Sequence, residues 1–506
     1  MTYFDRTPLF ILVSLLAACG PKDPADTESG SEGEATSTTT GPTTDAPTTT
    51  APTTTTTTTT TEGTTTAGET TDEPPEAVPC EHVAGPADGA VDWYLRCGGP
   101  QNEFLNGVGT DADGNIYLGI DLRVLDVSAP LRIGEFEVTP GELSDILLIK
   151  LSSTGEPLWV RQFGGPLDQT ITHLVACGDG LAIMGFAEPG TLDLGGGSLD
   201  GAFVAGFDLD GNHRWSRSLG GASLVTATCD AGGTLAVSGL FEGAVDFGGG
   251  PVEPPPSTAA FVAKYDAAGG FQWVQPFIST GDGSARVMSL AFTPAGELVL
   301  AGSFTGTVEL GGGPLTTDFW DDMLVAKFGA DGGHLWSQQL GGDGLQYAMA
   351  IAVDASGELA LGGMFFDQLE IGADSYTNVF PDQIPEIDGT LYDAVLARLD
   401  PAGAVLSSQH LGAMLDDSID DLSFDATDSL LVAGVADSQV ALRAFSGEEQ
   451  TWAWTTDQLP EYTRSARSGE DAVVLGSSPM AGEVDLGAGP TTDHGGWDFV
   501  VARIRR

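Results

Sequence analysis

The sequence of 506 residues has few basic side chains. It contains 19 Lys plus Arg, of which only four are Lys, against 72 Asp plus Glu, and its formal net charge is -53. Because proteins bind nucleic acid by neutralising phosphates with Lys and Arg, this balance excludes nucleic acid as a partner. The chain is nevertheless 41% hydrophobic, which is enough to bury a sizeable core.

Catalytic motifs are also missing. The six histidines are scattered, and the sequence contains neither an H-E-x-x-H pair nor a G-x-S-x-G elbow. Runs of three glycines begin at Gly195, Gly248 and Gly311, but none is followed by the Lys-Ser/Thr of a phosphate loop, so we interpret them as turns. The sequence therefore predicts no catalytic residue and a protein that is not an enzyme.

Long hydrophobic runs are absent, apart from ten mostly apolar residues at 9–18. A membrane-spanning helix needs about 20 such residues, so residues 1–18 are predicted to be a signal peptide. The sequence Leu-Ala-Ala-Cys that ends at Cys19 resembles the bacterial lipobox, which implies that Cys19 is lipidated and that acyl chains hold the protein to the membrane. Gly20 follows it, which by the rule for Gram-negative lipoproteins implies sorting to the outer membrane or cell surface. An ordinary secretory signal with an incidental cysteine is the alternative.

Residues 19–79 are rich in Thr, Pro and acidic side chains and include nine consecutive threonines at 53–61. Such a segment has almost nothing apolar to bury, so it cannot offset the entropy of ordering and is predicted to be a disordered linker. The lipidated cysteine and this linker precede a folded domain at residues 80–506.

That domain is repetitive. The segments FVAKYDAAGGFQW (261–273), LVAKFGADGGHLW (324–336) and FVAGFDLDGNHRW (203–215) each read as an apolar strand, a glycine turn and a second strand that carries Trp. Short alternating strands joined by glycine turns favour antiparallel pairing. The basic or equivalent position recurs at Lys150, Gly206, Lys264, Lys327, Arg398, Arg443 and Arg503, and nine residues later come Trp159, Trp215, Trp273, Trp336, Ser407 and Trp452.

Two further strands follow each Trp strand, so the repeat consists of four strands. An extra Trp strand at residues 92–96 opens the domain, and the last repeat lacks one because the chain stops at Arg506. We therefore expect residues 92–96 to pair with residues 499–503 and to complete seven four-stranded antiparallel sheets in a closed ring, since closure protects sheet edges. An open β-solenoid is the alternative.

These segments, with their D-x-x-G-N-x-Y-x-x-G and F-V-A-K-x-D-x-x-G-x-x-x-W-x-x-x-x-G-G patterns, resemble the bacterial SBBP repeats of seven-bladed β-propellers. The resemblance covers nearly all of residues 92–506. It implies an all-β propeller closed by its N-terminal strand, in which one strand from the start joins three from the end. It implies no single activity, because a fold does not fix a function.

Four cysteines remain once Cys19 is assigned to lipid, an even number in an exported protein. Cys177 and Cys229 occupy equivalent strand ends in adjacent repeats, and Cys80 and Cys97 flank the first Trp strand. The sequence thus predicts two disulfides, Cys80 with Cys97 and Cys177 with Cys229. Free buried thiols are the alternative.

Acidic loops supply the remaining candidate site. The long connections from the second to the third strand of each repeat should emerge on one face of the ring, and those at 186–202, 240–260, 303–322, 364–393 and 477–498 contain many acids and no Lys or Arg. We hypothesise that this face binds Ca²⁺ or a cationic partner through Asp318, Asp321 and Asp322, with no other cofactor. The alternative is that the acids only maintain solubility.

Two smaller questions stay open. The D-x-D-G-N stretches that begin at Asp111 and Asp208 resemble calcium loops but lack the Gly and Glu of an EF-hand, which favours a turn instead. The tryptophans are interpreted as packing between sheets rather than as a ligand platform.

Together these features predict a monomeric, lipid-anchored surface protein that acts as a non-catalytic binding or adhesion scaffold for an unknown protein, glycan or cation. The alternative is an exported propeller hydrolase or lyase whose loop-borne active site lies at the mouth of the channel. That function would require clustered His, Asp or Glu, which the sequence does not display.

Overall fold

A computed structural model describes residues 76–87, 89–124, 129–254, 259–317, 320–378, 391–412, 415–459, 463–468, 471–478, 482–492 and 494–506. Within these ranges the chain forms β-strands joined by turns and loops, and no helix occurs. This confirms the all-β class. The same ranges contain no helix of the length and hydrophobicity needed to cross a membrane. The predicted signal peptide, Cys19 and nearly all of the predicted linker lie outside the described residues.

The strands are short and follow one another through tight turns. In chain order they are β1 Val78–Pro79, β2 Glu81–Ala84, β3 Val91–Cys97, β4 Asn102–Thr110, β5 Ile116–Arg123, β6 Leu131–Ile133, β7 Phe136–Val138, β8 Ser144–Leu151, β9 Pro157–Gly164, β10 Gln169–Cys177, β11 Gly180–Asp193, β12 Ser198–Asp208, β13 His213–Gly220, β14 Ser223–Cys229, β15 Leu235–Phe241, β16 Val245–Asp246, β17 Pro251–Val252, β18 Ala259–Tyr265, β19 Phe271–Phe292, β20 Leu298–Glu309, β21 Pro314–Thr316, β22 Asp322–Phe328, β23 His334–Leu340, β24 Gly344–Val353, β25 Leu359–Ile371, β26 Asp374–Thr377, β27 Asp393–Leu399, β28 Val405–His410, β29 Ser418–Phe424, β30 Ser429–Ala436, β31 Gln439–Ser446, β32 Glu449–Thr456, β33 Thr463–Ser468, β34 Asp471–Ser478 and β35 Asp498–Ile504.

The larger sheets follow the sequence repeat. Each repeat unit has four strands paired antiparallel in chain order: β4-β5-β8-β9 in unit 1, β10-β11-β12-β13 in unit 2, β24-β25-β27-β28 in unit 5 and β29-β30-β31-β32 in unit 6. Unit 7 consists of β33, β34, β35 and the early strand β3, to whose free edge β2 adds a fifth strand. Two small sheets are built from the short strands β1, β6 and β7 and from β16 and β17.

The predicted pairing of the chain ends is present in unit 7. Trp93 is paired with Arg503 and Cys97 with Phe499, so β3 and β35 are antiparallel neighbours. The first strand of each unit contacts the first strand of the next, and β33 of unit 7 contacts β4 of unit 1.

Seven separate four-stranded sheets are not observed, so this part of the prediction is wrong. Units 3 and 4 form one eight-stranded sheet, because β19 continues for 22 residues and serves as the fourth strand of unit 3 and the first strand of unit 4. Unit 3 contains β14, β15, β18 and the start of β19, and unit 4 contains the rest of β19 with β20, β22 and β23. Units 1, 2, 4, 5 and 7 have a glycine five residues after the Trp position, whereas unit 3 has the β-branched Ile278 there, which favours continued extension.

That glycine accommodates a buried carboxylate. Asp145 is buried at the start of the third strand of unit 1, and a Cβ added to Gly164 would lie 1.8 Å from its Oδ1. The Gln162 side chain of the fourth strand donates to Asp145 at 2.5 Å. The same arrangement joins Asp322 to Gln339, Asp393 to His410 and Asp498 to Arg96 in units 4, 5 and 7.

Tryptophans connect consecutive units. Each indole Nε1 donates to a main-chain carbonyl in the turn between the third and fourth strands of the next unit, and the ring covers a glycine in that turn. Gly269, for example, has a φ of +75°, and a Cβ there would lie 2.4 Å from the Trp215 ring. The bonds run from Trp93 to Ser153, Trp159 to Leu209, Trp215 to Ala267, Trp273 to Ala330 and Trp336 to Pro401, at 3.0 to 3.2 Å.

The basic residue of the third strand strengthens this contact. Lys150, Lys264 and Lys327 donate to the same carbonyl as the tryptophan of their own unit. Arg503 does so in unit 7, where it shares the Ser153 carbonyl with Trp93. The interpretation of the tryptophans as packing between sheets is therefore confirmed for these units.

Both predicted disulfides are present. Cys80 is bonded to Cys97, which ties the segment before β2 to the end of β3. Cys177 is bonded to Cys229, which links the first strands of units 2 and 3 at the same end. Cross-links of this kind typically contribute about 2 to 4 kcal/mol of stability.

Candidate binding cavity

The first strands of the units differ from the others in burial. Third strands such as β22 are buried along their whole length, because both of their faces pack against other strands. Side chains of β4 alternate between buried and half-buried, so only one of its faces is packed into the core. The other face is available to line an internal space.

That space is a cavity of about 740 Å³, to which the first strands of all seven units contribute. Its volume is within the range of small-molecule sites. One wall residue from each first strand, in unit order, is Val108, His173, Thr226, Met288, Met349, Asp420 and Arg464.

Six of the seven first strands carry a β-bulge at the same place. The register against the second strand skips one residue, which leaves an extra residue on the first strand. Bulges of this kind redirect side chains and are common beside functional sites. The extra residues are Asn106, Thr172, Val225, Met288, Met349 and Asp420.

The bulge in β29 places two consecutive carboxylates, Asp420 and Asp421, in the cavity wall. Burial raises the pKa of Asp420 to about 6, and the negative charge of Asp421 adds to the increase. Burial also raises the pKa of Asp421, although the Ser465 hydroxyl donates to it at 2.7 Å. The positive charge of Arg464 lowers both pKa values and is too weak to offset burial.

His173 completes the polar part of the wall. It is 8% exposed, and its Nδ1 has no hydrogen-bond partner among the residues that the structure describes. Burial, together with the charge of Arg464, holds its pKa well below the usual range. The imidazole is therefore neutral at physiological pH and has one nitrogen that can accept a hydrogen bond.

Met288 and Met349 add half-buried apolar side chains to the wall. Two more carboxylates, Asp230 and Asp354, line the cavity, and each accepts hydrogen bonds from backbone N–H groups of its own turn. Asp230 accepts the N–H groups of Gly232 and Thr234 at 2.9 and 2.8 Å, and Asp354 accepts equivalent bonds. The cavity wall thus combines a few apolar side chains with a polar cluster of Asp420, Asp421, Arg464 and His173.

The structure does not bring the three predicted metal ligands together as a described site. Asp318 lies outside the described residues. Asp321 accepts a hydrogen bond from the Tyr347 hydroxyl at 3.2 Å, and Asp322 is the buried partner of Gln339. In the described part of the chain no three His, Cys, Asp or Glu side chains are close enough to hold a metal ion. Calcium binding at this loop stays a prediction.

Many acidic residues instead build turns. Asp208 Oδ1 accepts the N–H groups of Asp210 and Asn212 at 3.0 and 2.8 Å, and Asp111 accepts the equivalent pair. The turn interpretation of both stretches is therefore confirmed. The glycine runs are turns of the same kind, in which the N–H groups of alternate glycines bond to Asp193, Asp246, Glu309 and Asp485.

The cavity cluster was not predicted from the sequence. Its members come from units 2, 6 and 7, and nothing in their spacing along the chain indicates that they meet. A signal was nevertheless present. The first strands of units 1 to 5 carry uncharged residues at the bulge, whereas unit 6 carries Asp420 there. Aligning the repeats by their first strands would have identified this charged exception.

No family model matches the sequence, and no curated protein matches it either. Solved structures do show a resemblance. Sqt1 from Chaetomium thermophilum is 13% identical, with coverage of 81% of this chain and 100% of its own and a TM-score of 0.41. The quinohemoprotein alcohol dehydrogenase from Comamonas testosteroni is 11% identical, with coverage of 80% and 75% and a TM-score of 0.37.

A protein of unknown function from Bacteroides caccae is 13% identical, with coverage of 43% of this chain, 61% of its own length and a TM-score of 0.26. The neighbours include β-propeller-like proteins with varied functions, among them enzymes and non-enzymes. At these TM-scores the resemblance does not bear on the function of this chain.

Proposed function

We propose that this chain is an exported, lipid-anchored β-propeller that acts as a monomeric binding scaffold, and that its cavity is the ligand site. The observation that carries the proposal is the cavity itself, to whose wall all seven first strands contribute and which contains Asp420, Asp421, Arg464 and His173. Burying titratable groups is costly, and such groups cluster at functional sites, which favours a functional site over a packing defect.

The seven-bladed ring is part of this proposal. It is supported by the contacts between consecutive first strands, including those between β33 and β4. The bonds of Trp93 and Arg503 to Ser153 repeat, between units 7 and 1, the connection seen between other neighbouring units. In such a ring the continuous β19 joins two blades without changing their number.

Export and anchoring are supported by different features. Two disulfides favour an oxidising compartment, because thiols are kept reduced in the cytosol. The lipobox-like sequence before Cys19 and the Thr-rich linker favour a domain held at a distance from the membrane. On this basis we propose that the protein is held on the outer membrane or cell surface.

The cavity is tested by a thermal-shift screen of small molecules on the full chain. Compounds that bind should raise the melting temperature of the unsubstituted protein and of Leu406→Trp, whose site is 56% exposed and outside the cavity wall. They should not raise the melting temperature of Met288→Trp, because the added ring fills part of the cavity. Hits that persist in Met288→Trp would contradict a cavity site.

A hydrolase or lyase is the second candidate. It is favoured by the same cluster, because a carboxyl group with a pKa of about 6 is suited to general acid–base catalysis near neutral pH. Following the hits of the screen by mass spectrometry separates the two functions, since a scaffold returns its ligand unchanged and an enzyme converts it.

A further inference from the structure

We propose that Glu103 makes the junction between units 7 and 1 sensitive to pH. As a neutral carboxylic acid it is buried between β4 and β35, and loss of its proton destabilises the contact between these strands. The inference concerns how the two ends of the folded domain are held together, and it is independent of the proposed ligand cavity.

Glu103 lies at the interface of the two units. Its side chain is fully buried on the packed face of β4, and its N–H donates to the carbonyl of Trp497, immediately before β35, at 2.7 Å. Neither carboxyl oxygen forms a hydrogen bond of ordinary geometry within the described ranges. An ionised carboxylate at this place would lose its hydration without replacement, whereas the neutral acid avoids most of that cost.

The equivalent residues of other units indicate which form is accommodated. The residue three positions before the bulge of the first strand, in units 1 to 6, is Glu103, Gln169, Ala222, Ala285, Gln346 and Asp417. Gln169 and Gln346 are as fully buried as Glu103, and the Gln346 amide donates to the carbonyls of Asp343 and Gln368 at 3.1 and 2.7 Å. A protonated glutamic acid has nearly the shape of glutamine and can also donate, whereas glutamate can only accept.

This position changes together with one in the preceding unit, five residues before the basic position of the third strand. Where the preceding unit has Asp there (Asp498, Asp145, Asp322 and Asp393), the next first strand carries Glu103, Gln169, Gln346 and Asp417, respectively. Where it has Gly201 or Ala259, the next first strand carries Ala222 or Ala285. Asp417 is the shorter acid and accepts the N–H of Asp437 at 2.9 Å. Glu103 thus occupies a place where a buried Asp of the neighbouring unit is accompanied by a polar side chain, which is a neutral amide in units 2 and 5.

The charges around Glu103 oppose its ionisation. Asp498 of β35 is buried and accepts a hydrogen bond from Arg96 of β3 at 2.6 Å. Burial raises the pKa of Glu103 to about 9, and the negative charge of Asp498 adds to the increase. The contacts of Gly99 and Gln101 lower the pKa and are too weak to offset burial.

The other charged groups described on the strands that contact β4 act elsewhere. Arg123 pairs with Asp121 on β5, Arg503 on β35 donates to Ser153, Arg467 on β33 pairs with Asp425, and Arg464 on β33 acts on the cavity cluster. Among the described residues, Asp498 is therefore the charge that acts on Glu103.

These values define the pH range of the effect. Below its ordinary pKa of 4.5, Glu103 is protonated whether the junction is closed or open, and its proton has no influence. Between 4.5 and about 9 only the open form loses the proton, so the junction weakens as pH rises, and above about 9 the effect levels off. The equilibrium constant for opening should increase by up to about tenfold per pH unit within this range.

The first test compares melting temperatures of the unsubstituted full chain, Glu103→Gln and Glu156→Gln between about pH 5 and about pH 9. Glu103→Gln should melt at a higher temperature than the unsubstituted protein at the alkaline end, and the difference should shrink towards the acidic end. Glu156→Gln is the matched control, because Glu156 is exposed, and it should follow the unsubstituted protein throughout. Asp420 and His173 are present in all three proteins, so their titration cancels in the differences.

Hydrogen exchange shows where the effect acts. After correction for the chemical exchange rate, the opening constants of β4 and β35 should increase with pH in the unsubstituted protein and stay constant in Glu103→Gln. Gln346→Glu should transfer this dependence to β22 and β24, because the Gln346 N–H bonds to Asp321 across the junction of units 4 and 5. Loss of folding in Gln346→Glu that acid restores would be the same result in a stronger form.

Infrared spectroscopy detects the proton directly. At about pH 8 the C=O band of a protonated carboxyl group should be present in the unsubstituted protein and absent from Glu103→Gln, since a group with a pKa of about 9 is still mostly protonated there.

Three results would overturn the inference: equal pH profiles of the unsubstituted protein and Glu103→Gln, no band of a protonated carboxyl group, or opening of β4 and β35 that responds to pH alike in both proteins. A Glu103→Gln chain that does not fold would also overturn it, because glutamine reproduces the shape of the neutral acid. The ligand cavity is tested separately by the compound screen, so neither result decides the other.

Discussion

At the scale of single residues, the repeat is specified by pairs of positions that change together. Asp145 and Gly164 face each other across the third and fourth strands of unit 1, and glycine is required because the carboxylate occupies the space of a Cβ. Unit 3 has Ala259 and Ile278 at the equivalent positions. A small residue on the third strand, such as Ala259, thus leaves room for a large one on the fourth strand. An aspartate on the third strand requires glycine on the fourth.

This pairing predicts the effect of two substitutions. Gly164→Ala should lower the free energy of unfolding by about 1 to 3 kcal/mol, because the new methyl group overlaps Asp145. Gly221→Ala is the matched control, since nothing lies within 4 Å of a Cβ at Gly221. Urea denaturation measures both effects.

The double variant Gly164→Ala with Asp145→Ala reproduces the small-residue solution of unit 3. It should recover part of the stability lost in Gly164→Ala, although Gln162 loses its acceptor. A double variant that is less stable than the sum of the two single effects would contradict the steric explanation.

At the scale of elements, the connections between units are not equal. Between units 5 and 6 the tryptophan position is occupied by Ser407, and nothing lies within 4 Å of a Cβ at Gly447 in the facing turn. Arg398 Nη1, which comes from the basic position of unit 5, has no partner within the described ranges. One hydrogen bond remains at this junction, from the Gln409 side chain to Glu448 at 3.0 Å. Because the contacts of the tryptophan and of the basic residue are both missing, this is the least connected of the described junctions that carry the pattern.

Ser407→Trp should therefore stabilise the protein. The indole would cover Gly447, as the other tryptophans cover their turn glycines, and we expect a gain of about 1 kcal/mol from the buried aromatic surface. A higher melting temperature in calorimetry is the expected result. Leu406→Trp adds the same side chain at an exposed neighbouring position and should change stability little. Equal effects of the two substitutions would contradict the explanation that the junction between units 5 and 6 lacks a tryptophan contact.

The elements also show how far the sequence predicts the fold. The alternation of apolar residues and the glycine turns correctly predicted the strands, their order and the pairing of β3 with β35. The prediction of seven equivalent four-stranded sheets failed at two places where one unit departs from the sequence of the others. Ile278 extends β19, and the two-residue turn after Ser446 shifts unit 6, so that Arg443 pairs with Ala453 instead of Trp452.

The candidate cavity was beyond sequence analysis for a different reason. Its wall depends on which side chains the bulges turn inward, and a bulge is set by pairing between strands rather than by local composition. Asp420 and His173 are unremarkable in their own segments and acquire their shifted pKa values only through burial beside other units.

At the scale of the whole molecule, negative charge is partly structural. Carboxylates that accept two backbone N–H groups in turns recur through the units, as at Asp208, Asp266 and Asp400. Such hydrogen bonds lower the pKa of Asp193 and keep it ionised. Part of the acidic composition is therefore structural.

The proposed anchor gives a prediction for the intact chain. Cys19→Ala should abolish incorporation of a labelled fatty acid and move the protein from the membrane fraction to the soluble fraction of a bacterial host. Its melting temperature should not change, because Cys19 lies well before the described residues, which begin at Glu76. Cys177→Ala is the opposite control, which should lower the melting temperature and retain the label. Acylation that persists without Cys19 would contradict the lipobox interpretation.

The pairing of β3 with β35 also has a consequence for biosynthesis. Trp93 and Arg503 are far apart in the sequence and donate to the same carbonyl of Ser153, so their shared contact is incomplete until β35 has been synthesised. A truncated translation product would leave the edges of β3 and β34 open, exposed to proteases and prone to aggregation. Folding thereby discriminates between polypeptides that contain β35 and polypeptides that end before it.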